Sequence, residues 1–118
     1  MISVADIREW RGAAVVDEEG SKIGSLEAVY FDTLSDEPMF ATVKVGIPGG
    51  GKLIFVPLDG ARVSPKQVHV KVGKKLAKNA PAIATEGELA AETEAEIYQH
   101  YNMTYERGAS GERRLGRR

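Results

Sequence analysis

Between residues 13 and 72 apolar positions alternate with polar ones in short runs, and glycine, proline and aspartate separate the runs. Period-two alternation is the signature of a strand with one face buried. Residues 15–32 carry the pattern most fully: Val15 and Val16 lead into Asp17, Glu18, Glu19 and Gly20, a turn sequence, and a long second arm follows with Ile23, Leu26, Val29 and Phe31 as its apolar positions. The predicted strands are residues 13–17 and 22–33, a third that begins at Pro38 and alternates over 40–47, and runs at 52–57, 61–64 and 67–72. In the third, Ala41, Val43, Val45 and Ile47 are assigned inward, and Phe40, Thr42, Lys44 and Gly46 to the other face. In the last, Val68, Val70 and Val72 face in while Gln67, His69 and Lys71 face out. Five or six strands within about 60 residues predict a small antiparallel barrel or sandwich, and closure would hide sheet edges.

Helical patterning flanks the strands. Residues 3–11 read as a short N-terminal helix that Ser3 caps, with Val4 and Ile7 on one face and Gly12 as its stop. Trp10, the single tryptophan, is expected to pack against the end of the barrel. Residues 74–79 form a helical turn before Pro81. Thr85 and Glu88 have the spacing of a capping box, and a C-terminal helix then runs to about Tyr101. Leu89, Thr93, Ile97 and Tyr101 recur every four residues and form its stripe, with Ala90 and Tyr98 beside it and Glu92, Glu94, Glu96 and Gln99 off it. The expected organisation is a β-domain over residues 1–83, a helical extension over 84–106 and a disordered basic tail over 107–118.

Composition narrows the chemistry. The chain has 118 residues, room for one domain, and no cysteine, which excludes disulfides, thiol catalysis and thiolate metal sites. No apolar run approaches the ~20 residues that span a bilayer, and the N-terminal residues are broken by charge too early for a signal peptide. These features lead to the expectation of a cytoplasmic protein. The net charge of −1 is unevenly spread. Residues 107–118 hold five arginines and one glutamate, a net of +4, and residues 1–106 hold eleven basic and sixteen acidic groups, a net of −5.

Each candidate site has a plain structural alternative. His69 and His100 lack the convergent partners of a metal or acid–base site and read as surface histidines. Glu86, Glu88, Glu92, Glu94 and Glu96 lack a calcium-loop pattern and read as a solvated acidic face. The Pro48-Gly49-Gly50-Gly51 stretch joins two strands and lacks the ending of a phosphate loop. Leu89, Ile97, Tyr98 and Tyr101 form either a packing stripe against the barrel or a self-association surface, and the second reading makes the protein a homodimer. Arg107, Arg113, Arg114, Arg117 and Arg118 form a solvated tail or a weak, sequence-blind contact for RNA, DNA or another polyanion. Asp17, Gly20, Gly24, Pro57 and Gly60 are read as turn and packing residues. No catalytic set, metal site or cofactor site is expected.

Taken in order, Gly12 to Asp17, then Gly20, Ile23-Gly24, Leu26 to Val29, Phe31-Asp32, Phe55 to Leu58, Gly60-Ala61 and the strand over 68–72 resemble the PRC-barrel family. This family includes domains of the photosynthetic reaction-centre H subunit, of a ribosome-maturation factor, and free-standing bacterial and archaeal proteins. Residues 80–101 resemble the tail helix of the free-standing bacterial type. The resemblance implies a PRC-type barrel that serves as a non-enzymatic adaptor or assembly module with an unnamed protein partner.

Overall fold

The computed structural model describes residues 11–46, 51–64, 66–84, 89, 91–103 and 115–117. The first two helical expectations tied to caps, residues 3–10 with Trp10 and the capping box at Thr85 and Glu88, lie outside them. So do Ile47 and the loop residues Pro48, Gly49 and Gly50.

Turn chemistry cuts the alternating runs into strands. These are β1 (Ala14–Val16), β2 (Lys22–Asp32), β3 (Pro38–Val45), β4 (Lys52–Pro57), β5 (Arg62–Ser64), β6 (Gln67–His69), β7 (Ala82–Ala84) and β8 (Leu115–Arg117). Two helices, α1 (Lys74–Lys78) and α2 (Ala91–His100), complete the described elements. The strands form one sheet in the order β5-β6-β1-β2-β3-β4-β7, with β8 paired to β2.

Three expectations about the sheet are corrected. Among the described residues it has eight strands, not five or six, because β7 falls between the two helices and β8 in the basic tail, where no strand is expected. It is mixed, because β6 returns beside β1 in parallel, aligning Val15 with Val68. It is also open: among the described residues no pairing joins β5 to β7. Among the described residues the protein is nonetheless mainly β, as expected, with α1 at the expected helical turn and α2 within the expected C-terminal helix.

β2 organises the sheet. Over its length it pairs with β3, and along its other edge it meets β1 near Lys22–Ser25 and β8 at Tyr30–Asp32. Strict alternation would put Ile23 and Leu26 on opposite faces. Register shifts between Leu26 and Ala28 and between Val15 and Val16 reset the phase, as bulges do. Ile23, Leu26, Val29 and Phe31 thereby all enter the first core, with Val15, Ala41, Val43, Ile54, Val56, Val68 and Val70. Ala77 of α1 closes one side of this core.

The opposite face of the sheet is buried as well. Phe40 and Thr42, assigned away from the core on alternation alone, have no exposure. Phe40, Phe55 and Tyr30 form a second core with Leu89, Ile97, Tyr98 and Leu115. Ring geometry binds it: Tyr30 and Phe55 centroids lie 5.0 Å apart, and Phe40 meets Tyr98 edge-on at 5.2 Å. The Tyr101 hydroxyl donates to the Phe55 carbonyl at 2.6 Å, and burial raises its pKa, so the phenol stays protonated as a donor. The buried face of α2 is Glu94, Ile97 and Tyr98, continued by half-buried Tyr101. This spacing of three and four residues is helical. It corrects the expected stripe at one position, for Glu94 is fully buried, whereas Glu92, Glu96 and Gln99 are exposed.

The tail reading is corrected at residues 115–117. Asp32, Phe31 and Tyr30 pair with Leu115, Gly116 and Arg117, and Leu115 is buried in the second core.

Phe40→Ala tests whether this second core stabilises the fold. Emptying a well-packed aromatic site costs about 3–5 kcal/mol. Urea denaturation should show a loss in that range. A loss below about 1 kcal/mol, the size of a surface change, would show that the face is not a true core.

Candidate functional site

The turn between β1 and β2 does more than reverse the chain. Asp17 is buried, and its Oδ1 accepts the backbone N–H groups of Glu19 at 3.0 Å and Ser21 at 2.9 Å. Gly20 completes the turn at φ +85°, where a side chain would be strained. The other carboxylate oxygen reaches across the fold and accepts the N–H of Lys74, the first residue of α1, at 3.2 Å. The pKa of Asp17 is lowered, first by the Ser21 N–H; burial works against this, and the Lys74 and Glu19 N–H groups and the Lys74 charge reinforce it.

Such outside support is needed because α1 has only five residues, and isolated helices that short do not persist in water. Gly73 at its N-cap offers no side-chain cap, so the Asp17 carboxylate takes that place. At the other end, His100 from α2 lies 2.7 Å from the Leu76 carbonyl through Nε2. A carbonyl only accepts, so Nε2 carries the proton. Asn79 Nδ2 donates to the Lys75 carbonyl at 3.1 Å. Both ends of α1 are thus tied, and its one buried residue, Ala77, anchors it to the first core.

The surface around α1 is grooved. One open groove of about 800 Å³ is lined by side chains of both signs, Asp17, Glu18 and Glu19 together with Lys71, Lys74 and Lys75. A second, of about 510 Å³, lies between Lys22 and Lys44 with Gly24 and Gly46 among its lining residues. Lys78 lines both. Gly24 is required there, since a Cβ at that position would collide with the Lys44 carbonyl oxygen and come within 2.7 Å of Val43 Cγ1. The ion pair found among the described residues is elsewhere, between Arg11 and Glu27 at 3.4 Å. Lys22, Lys44, Lys71, Lys75 and Lys78 are exposed and Lys74 is half-buried beside Asp17, and among the described residues none of the six has a carboxylate at ion-pair distance.

The residues singled out by sequence occupy different places. Pro57 ends β4 opposite Phe40, and Gly60 sits in the following turn at φ +71°. His69 shares a hydrogen bond with the Ser64 hydroxyl at 3.2 Å, across the β5–β6 hairpin. Leu89, Ile97 and Tyr98 are buried, and half-buried Tyr101 packs on the same core. Of the two readings of these residues, packing within the chain is the one these contacts match. Arg117 joins Tyr30 through the β-ladder, while Arg107, Arg113, Arg114 and Arg118, with Glu86 and Glu88, lie outside the described residues. Among the described residues no three His, Asp or Glu side chains are placed to hold a metal ion. The lysine-lined grooves escaped sequence reasoning. The visible signal was the KKLAK run of α1, but Lys22 and Lys44 join it only through the fold.

Asp17→Asn tests the bracket. The substitution puts an amide N–H₂ where Lys74 N–H needs an acceptor, or removes an acceptor from the turn. It should lower Tm at pH 7. Because folding lowers the pKa of Asp17, its stabilisation is complete above the ordinary carboxylate value of 3.8 and is lost as pH falls through the folded value. The difference in Tm between the two proteins should therefore narrow in acid. A difference that does not depend on pH would overturn this account.

A comparison with known families follows from this geometry. The profile of the PRC-barrel domain matches residues 3–77, which spans β1 to β6 and most of α1. A search of curated proteins finds no match to this chain. No helix among the described residues is long and apolar enough to cross a membrane. The match covers well over half of the chain, so the protein belongs to the PRC-barrel domain family.

Proposed function

We propose that this chain is a non-enzymatic adaptor of the cytoplasm, a PRC-barrel module that joins or organises a protein assembly. The observation that carries this reading is the family match over residues 3–77, since PRC-barrel domains serve generally as protein-interaction modules. The uses found for polar side chains support it. Asp17 and His100 hold the ends of α1, Thr42 donates to Glu27 and the Ala28 carbonyl, and His69 stays within a hairpin. These contacts are structural. What the fold presents outward, by contrast, is an open, grooved and charged surface.

The adaptor is proposed to act as a single copy. The aromatic face that would have built a homodimer is committed to the internal second core. Light scattering behind size-exclusion chromatography should give the protomer mass of 12.8 kDa, and a stable species of twice that mass would overturn the single-copy proposal. For the adaptor reading itself, the tagged chain should be recovered from its native cells with one or a few proteins at reproducible stoichiometry. Recovery of the chain alone, or turnover of a small molecule by the purified protein, would overturn it.

A further inference from the structure

We propose that the two lysine-lined grooves beside α1 are one docking site for an extended acidic segment of a partner protein, with an apolar residue of that segment seated on Leu76. This inference rests on the adaptor reading and adds the chemistry of the partner.

The first support is local charge. Lys22, Lys44, Lys71, Lys74, Lys75 and Lys78 come from β2, β3, the approach to α1 and α1 itself. Like charges gathered on one surface repel, and an anionic partner relieves that repulsion. Lys78 stands between the compartments, so a chain laid across it meets lysines on both sides. The volumes, about 800 and 510 Å³, are of the size that holds a ligand group.

The second support is Leu76. It is 44% exposed on a helix otherwise made of lysines and one buried alanine. Among the described residues it is one of two large apolar side chains left this exposed. Leu76 lines neither groove but follows Lys75 on α1, so an apolar residue of the segment would meet it at the border of the charged surface, as apolar and polar contacts adjoin in protein interfaces. The bracket from Asp17 and His100 holds α1 in place before any partner arrives, which reduces the ordering cost of binding.

A polypeptide fits this surface better than a nucleic acid. Asp17, Glu18 and Glu19 line the larger groove along with its lysines. A phosphate backbone carries charge at every nucleotide and would run beside those carboxylates. An extended peptide turns successive side chains to opposite sides, so its acids need not fall at every position along the groove. Among the described residues that line the grooves there is no aromatic ring on which a base could stack.

The test uses the full chain and fluorescence anisotropy. The probes are a twelve-residue peptide of glutamate and glycine with a central leucine, the same peptide with glutamine for glutamate, and a single-stranded RNA twelve-mer. One variant combines K74E, K75E and K78E on α1. A second combines K22E and K44E on the sheet, so that a folding defect in the first cannot decide the matter. A control combines K52E and K66E, which line neither groove. Circular dichroism checks that each variant is folded. The acidic peptide should bind and the glutamine peptide should not. Both groove variants should weaken binding by about tenfold or more, the result of replacing several attractions with repulsions. Leu76→Ser should weaken it by a smaller factor, and the control should leave it unchanged. Equal binding by the groove variants, or tighter binding of RNA than of the acidic peptide, would overturn the proposal. The native partner separates the two readings. A partner recovered equally by wild type and both groove variants would remove this site and leave the adaptor standing. A peptide that binds as expected while wild type recovers no partner would support the site and remove the adaptor.

Discussion

The sheet can exist only if both of its faces are covered, and β2 makes that demand. One face of β2 supplies Ile23, Leu26, Val29 and Phe31 to the first core, and the other supplies Tyr30 to the second. A flat, regularly alternating strand of eleven residues could not place Ile23 and Leu26 together. The register shifts do so, and they also bend the strand. The bend lets β1 take one end of its free edge and β8 the other. Each buried large side chain contributes about 1.5–3 kcal/mol, so neither core can be left open without a large loss.

Covering the second face has a consequence for function. Phe40, Phe55 and Tyr30 need an apolar lid, and α2 with Leu115 is that lid. Tyr101 adds a hydrogen bond to Phe55, which fixes the lid in rotation as well as in position. With α2 laid on the sheet, Ile97 and Tyr98 are buried within the chain and Tyr101 is half-buried. The exposed chemistry moves to the far side of the first core, where α1 has only Ala77 to bury. A helix with one buried residue in five displays the other four.

Most of the strands were legible in the sequence because one side of each is apolar and the turns between them are chemically distinct. Asp17 and Gly20 marked the first hairpin, and Val68 and Val70 marked the inward face of the last run. The second core was less legible. Phe40 and Thr42 alternate with a stronger apolar set, and burial of both faces erases the contrast on which alternation depends. Glu94 was misread for a related reason: a carboxylate on a helix is ordinarily taken as solvated, and only packing shows it enclosed. β7 and β8 stand outside the alternating runs of residues 13–72 and are held by their partners β4 and β2. The lysine grooves were hidden differently. Each lysine looked like an ordinary solvated charge, and their convergence is a property of topology.

The same topology explains why those lysines can act together. A cluster on a loop would spread as its backbone moved, and its charges would separate. Here Lys22 and Lys44 stand on adjacent strands whose residues Ser25 and Lys44 are paired, and Gly24 holds the strands at close approach. Lys74, Lys75 and Lys78 stand on a helix whose first N–H is held by Asp17 and whose Leu76 carbonyl is held by His100. The two groups of lysines are joined through the first core, where Ala77 meets the residues of β2 and β4. Repulsion among the charges is thus opposed by hydrogen bonds and apolar packing that lie beneath them. The scaffold that fixes the lysines in place is the same hairpin, bracket and core that build the fold.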